Sequence, residues 1–202
     1  MKRDLGILAY GSLIDDPGDE IATLTVEILQ DGIITPFPVE FARSSRTRAG
    51  APTLVPVTFG GTFIPARIFV LHERISEQEA GHMLWRRETR RNGQDQNSPT
   101  FSNPNSEEVS IRKLTGFHGV NTVLYTRAVA NISPLTPKRL AELALNSARR
   151  TEIAGKGRDG ISYLMAVLRN GIRTELSGAY EEEVLRQAGA TTLAEALNHI
   201  RP

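Results

Sequence analysis

The hydrophobic patterning of the chain changes character near residue 136. Before it, apolar residues come in short runs closed by Gly, Pro, Asn or Asp, the signature of strands and tight turns. Leu5-Gly6-Ile7-Leu8-Ala9 is the clearest such run, and Gly11 and Ser12 close it. From Thr136 onward the pattern is helical: helices are expected over 137–150, 161–170, 177–188 and 192–200, with a glycine-rich break at Gly155–Gly160. A β-rich first part followed by a helical part defines an α+β fold. With 202 residues, 40% of them hydrophobic, the chain can bury one real core. The expectation is a single domain over residues 1–202, with 171–202 as a helical C-terminal extension.

Within the first part, Asp15-Asp16-Pro17-Gly18-Asp19 is turn chemistry. Residues 21–30 fit a short helix or a strand, because Thr23, Thr25, Val26 and Ile28 pull toward β. Pro36 and Pro38 hold an extended segment that leads into Val39-Glu40-Phe41. Thr53–Phe59 and Phe63–Leu71 are expected as two strands of a hairpin joined through Gly60-Gly61. Ile75 to about Arg91 is expected as a helix. It is acidic at its start (Glu77, Glu79) and Arg-rich at its end, before Asn92-Gly93. Asn92–Ser106 is a long polar loop, a candidate lid, and strands are expected at Val109–Leu114 and Asn121–Ala130.

Several classes of function are disfavoured by composition. There are no cysteines, so thiol nucleophiles, disulfides and Cys-based zinc sites are out. The four histidines (His72, His82, His118, His199) have no metal-ligand spacing. The net charge is +1 and aromatics are 6%, which argues against nucleic-acid binding, including through Arg86, Arg87, Arg90 and Arg91. No run approaches the ~20 apolar residues of a membrane span. The apolar run after Met1-Lys2-Arg3-Asp4 is too short for a signal peptide, so the cytoplasm is the default location. Gly155-Lys156-Gly157-Arg158-Asp159-Gly160 lacks phosphate-loop spacing and a preceding strand. The basic residues are 20 arginines against 4 lysines. That skew suits bidentate anion contacts, but a plain compositional bias is the readier explanation.

Three places could carry chemistry. Gly81, Leu84, Trp85 and Glu88 fall at i, i+3, i+4 and i+7 and share one helical face, so an apolar stripe ends in a carboxylate. Partial desolvation there would equip Glu88 for proton transfer; alternatively it lies at the stripe's edge and pairs with Arg91. Tyr10-Gly11-Ser12-Leu13 follows a buried strand. It is either an ordinary strand-ending turn or a loop whose glycine lets backbone N–H groups close on a carbonyl or carboxylate. Ser12 is not in a G-x-S-x-G elbow, so a hydrolase nucleophile is poorly supported. The stretch Phe41–Pro52, with Arg43, Arg46 and Arg48, either holds an anionic ligand or is a solvated loop behind a core Phe41.

In order, these motifs resemble the γ-glutamylcyclotransferase-like superfamily. The matching pieces are Ala9-Tyr10-Gly11-Ser12-Leu13, Phe41-Ala42-Arg43-Ser44, Arg48-Ala49-Gly50-Ala51-Pro52 and Leu84-Trp85-Arg86-Arg87-Glu88. Val123-Leu124-Tyr125 and Gly160-Ile161-Ser162-Tyr163-Leu164 are similar to further elements of the glutathione-specific branch, so the likeness spans roughly residues 5–170. It implies a small mixed β-barrel with flanking helices and release of 5-oxoproline from a small γ-glutamyl compound. It also implies Glu88 as general acid/base, with Tyr10, Gly11, Ser12, Leu13, Arg48 and Tyr125 around the substrate. The substrate's own α-amine is the nucleophile, so no metal and no cofactor is called for. The other reading is a catalytically silent member that binds a small anionic metabolite or a protein partner in the same pocket. The chain departs from the family pattern at Thr89-Arg90-Arg91, where an acidic residue and a glycine are usual, and in its long 92–106 loop. The leaving group therefore need not be cysteinylglycine.

Overall fold

All five residues of the first strand, β1 (Leu5–Ala9), are buried, as an unbroken apolar run demands. In the computed structural model, which describes residues 2–89, 109–150 and 157–201, β1 is the middle of a five-stranded sheet. The other strands are β2 (Thr25–Leu29), β5 (Arg67–Leu71), β6 (Val109–Phe117) and β7 (Val120–Ala128), in the order β2-β5-β1-β7-β6. β1 runs parallel to β7 and antiparallel to β5, with Ile7 opposite both Phe69 and Leu124. A Cβ added at Gly6 would lie 2.7 Å from Ile68 Cγ2, so that position admits only the smallest residue. β6 and β7 form a hairpin across His118-Gly119, whose φ values of 49° and 77° suit the two-residue turns that match strand twist.

The ambiguous stretch 21–30 holds both structures. It begins as the end of helix α1 (Asp19–Leu24) and becomes β2 where Thr25, Val26 and Ile28 set in. The Thr25 hydroxyl donates to the Ile21 carbonyl at 2.7 Å and closes the helix. Helix α2 (Glu77–Thr89) starts on a reciprocal cap. The Ser76 amide donates to the Glu79 carboxylate at 2.9 Å, and the Glu79 amide donates to the Ser76 hydroxyl at 3.2 Å. The Ser76 backbone and side-chain donors hold the Glu79 carboxyl below the usual range.

By contact the chain divides into two compact units. The first, Met1–Thr35 with Pro65–Val129, contains the five-stranded sheet, α1 and α2. The second, Pro36–Ile64 with Ala130–Pro202, pairs a two-stranded ribbon with four helices. The ribbon is β3 (Val39–Ser45) against β4 (Ala51–Pro56), and the helices are α3 (Pro137–Ala148), α4 (Gly160–Arg169), α5 (Ser177–Ala188) and α6 (Leu193–Ile200). Thr136 and Asp159 cap α3 and α4, accepting the amides of Arg139 and Ser162. Inside this unit, Phe41 is fully buried and meets the rings of Tyr163 and Tyr180 edge-on, at 6.2 and 5.2 Å. Burial pushes the Tyr180 hydroxyl far above its ordinary pKa. Glu40, also buried, has its carboxylate satisfied by the Phe41 amide (2.8 Å), the Thr174 hydroxyl (2.5 Å) and the Leu176 amide (3.1 Å) at the start of α5.

Two expectations are corrected. The sheet is open rather than a closed barrel: β2 and β6 are its two edges, and β3 and β4 pair with each other in the second unit. The segments at 53–59 and 63–71 are not a hairpin, since β4 pairs with β3 and β5 with β1 and β2. Gly60 and Gly61 instead turn the chain back on β3, where Thr62 and Val39 exchange backbone hydrogen bonds at 2.9 and 3.1 Å. Beyond residue 171, α5 packs against α3, with Tyr180 and Val184 at zero exposure. The expected lid, Asn92–Ser106, lies outside the described residues, as does the first part of the Gly155–Gly160 break.

Candidate active site

The chain leaves β1 at Tyr10 in an extended conformation (φ −139°, ψ 161°) and then turns sharply at Gly11 (φ 58°) into a short 3-10 turn, Gly11–Leu13. Glycine takes that left-handed φ without the steric cost of a side chain. Within the turn the Leu13 and Ile14 amides donate to the carbonyls of Tyr10 and Gly11, at 3.4 and 3.3 Å. The donors that lead into the turn are therefore the N–H groups of Gly11 and Ser12. Leu13 itself is 4% exposed and belongs to the core. The Tyr10 hydroxyl donates to the Thr126 carbonyl at 2.6 Å, which ties the end of β1 to the parallel strand β7. Tyr125, half-buried on β7 opposite Arg112, is the residue just before that carbonyl.

On α2 the helical face falls as its spacing requires. Gly81, Leu84 and Trp85 are buried, and Glu88 stands at the edge of that stripe with its side chain 24% exposed. Its polar partner is a cation: Arg87 Nη1 donates to Glu88 Oε1 at 2.6 Å. The alternative partner considered from spacing, Arg91, lies outside the described residues.

Arg87 joins the two halves of the site. Its side chain is only 8% exposed, unusual for arginine. Nε donates to the Asp16 carbonyl at 2.8 Å and Nη2 to the Ser12 hydroxyl at 3.2 Å, while the Asp16 carboxylate stands 3.9 Å from Nη2. One planar guanidinium thus holds the loop after β1 and the Glu88 carboxylate together. Gly18 (φ 81°) lies against this side chain, and a Cβ there would come within 3.3 Å of Arg87 Cγ. The neighbouring Arg86 pairs with the exposed Glu20 of α1.

The structure therefore brings Tyr10, Gly11, Ser12, Glu88 and Tyr125 into one unit, with Ser12 and Glu88 linked directly through Arg87. Arg48 belongs to the second unit. There its guanidinium lies 4.7 Å from the centre of the Tyr163 ring, and its carbonyl accepts from the Ser147 hydroxyl at 2.8 Å. A groove of about 360 Å³ in the first unit, lined by Pro17, Ala22, Thr25–Ile28 and Phe69, includes none of the site residues. Among the described residues no cluster of His, Asp and Glu could hold a metal ion, and no helix is long and apolar enough to cross a membrane.

Arg87 is the residue that sequence reasoning passed over. The only signal was its place beside Glu88 in Leu84-Trp85-Arg86-Arg87-Glu88, where it reads as one of several surface cations. No family model matches the chain, and neither a curated protein nor a solved structure matches it.

Proposed function

We propose that this chain is a γ-glutamylcyclotransferase-like enzyme that releases 5-oxoproline from a small γ-glutamyl compound. The substrate's α-amine attacks its own γ-carbonyl, forming the ring C–N bond. Collapse of the tetrahedral intermediate then breaks the amide C–N bond and expels an amine. Ring closure is intramolecular and carries a high effective molarity, so the protein need not supply a nucleophile. It needs a group that takes a proton from the α-ammonium and returns one to the leaving nitrogen. The Glu88 carboxylate suits both steps, taking the first proton and returning it. It also needs donors for the developing oxyanion or the substrate carboxylate, a task for the Gly11 and Ser12 N–H groups and the Ser12 hydroxyl.

One observation carries the reading: a single guanidinium ties the Ser12 hydroxyl to the Glu88 carboxylate, so the loop and the carboxylate form one polar site. The same ion pair also suits a second reading, in which Glu88 is fixed structurally and the site binds γ-glutamyl ligands without turning them over. The test is a panel of γ-glutamyl dipeptides, γ-glutamyl alkylamines and glutathione, with 5-oxoproline read by mass spectrometry. Turnover of at least one member supports the enzyme. Binding without 5-oxoproline supports the silent binder, and neither binding nor product contradicts both.

A further inference from the structure

We infer that Arg87 is a positioning residue for this reaction, setting the proton-transfer carboxylate of Glu88 and the Ser12 side of the substrate cradle relative to each other. The inference rests on the cyclotransferase reading above. All three guanidinium nitrogens are in use, each on a different partner: Nε on the Asp16 carbonyl, Nη1 on Glu88 Oε1 and Nη2 on Ser12 Oγ. The fork is rigid and planar, so fixing it to the Asp16 carbonyl fixes the directions offered to the other two.

The consequences at the two ends differ. Arg87 occupies Glu88 Oε1, which leaves Oε2 as the oxygen to exchange a proton with substrate. At Ser12 the hydroxyl oxygen accepts from Arg87, so its own O–H is directed away from the guanidinium and remains a donor for a ligand. Arg87 is buried against Gly18, where the lack of a side chain leaves room for its stem. Arg86, one residue earlier, makes a surface pair with Glu20 and touches neither end of the site, which makes it an internal control.

A lysine keeps the charge and most of the stem but presents a single point of donation, so it cannot satisfy three divergent acceptors. Arg87→Lys is therefore expected to lower kcat about 10²-fold, the scale of a misplacement near 1 Å, and to raise KM for the γ-glutamyl substrate. Arg86→Ala is expected to keep wild-type kcat and KM. In Arg87→Ala, added methylguanidinium is expected to restore kcat saturably, whereas methylammonium should not, because only the fork can refill the vacated geometry.

Full activity in folded Arg87→Lys overturns the inference. So does an impaired Arg87→Ala that methylguanidinium fails to rescue, since that marks a purely structural arginine. If Arg87→Ala does not fold, the kcat and KM of Arg87→Lys decide alone. Wild-type protein that releases no 5-oxoproline overturns the enzyme reading and this role with it. Active wild-type protein with an indifferent Arg87 overturns this role only.

Discussion

At Glu40 a carboxylate sits 2% exposed with no cation paired to it among the described residues, held by two backbone amides and a threonine hydroxyl. Buried carboxylates are tolerated when such donors replace water, and the donors in turn depend on it. Glu40→Ala strands the Phe41 and Leu176 amides, at about 1–3 kcal/mol for each orphaned group. Denaturant midpoints are therefore expected to show Glu40→Ala destabilised by about 2–6 kcal/mol, and Glu40→Gln by clearly less, because its amide oxygen keeps one acceptor. An alanine variant as stable as wild type would contradict this account of the β3–α5 junction. Glu88 is the opposite case, a carboxylate left at a surface edge. Its place at the end of the Gly81-Leu84-Trp85 stripe was legible from helical spacing alone. The clamp that holds it was not, because the burial of Arg87 comes from residues 12–18, some seventy positions earlier.

Secondary structure was read best where one signal dominated. The apolar run of β1 and the periodicity of α5 each placed an element to the residue, and the acidic start of α2 placed its beginning within about two residues. Residues 21–30 resisted because a helix and a strand share them. Gly60-Gly61 misled because a diglycine specifies a turn but not the strands it joins. Closeness between elements gives a sharper test. A Cβ at Gly160, the first residue of α4, would lie 2.6 Å from the Ala144 Cα of α3, against backbone that cannot swing aside. Gly160→Ala is expected to destabilise by about 1–3 kcal/mol despite alanine's better helix propensity, and a urea midpoint at or above wild type would refute that packing. On α5, the Arg186 guanidinium and the Gln187 amide draw the Glu183 carboxyl down from 4.5 to about 2. A folded pKa below the unfolded one gives stability that is complete above pH 4.5 and lost as pH falls toward 2. The stability gap between wild type and Glu183→Gln should therefore shrink between pH 4.5 and 2 and stay constant above it. A gap that is flat across that window would show that the Arg186 pairing is not felt.

At the scale of the whole molecule, composition and patterning were enough for an α+β class but not for its strand pairing. Strand pairing is non-local: β1 joins β5 and β7, while residues 36–64 pair β3 with β4 and pack β4 on α3 and α4 before the chain returns at Pro65 to the sheet of β1. Local patterns carry no record of which strand a strand will join, and the small mixed β-barrel implied by the family resemblance gives way to an open sheet and a two-stranded ribbon. The proposed activity draws, apart from Arg48, on residues of the first compact unit, on or beside β1, β7 and α2. Its most direct measurement is 5-oxoproline formation from γ-glutamyl substrates by wild-type protein and by Glu88→Gln, matched for folding by circular dichroism. The account predicts product from the wild type and a loss of about 10²–10⁴-fold in Glu88→Gln, the usual scale of a general acid/base. Equal product formation by the two proteins, or none from wild type across the panel, would contradict it.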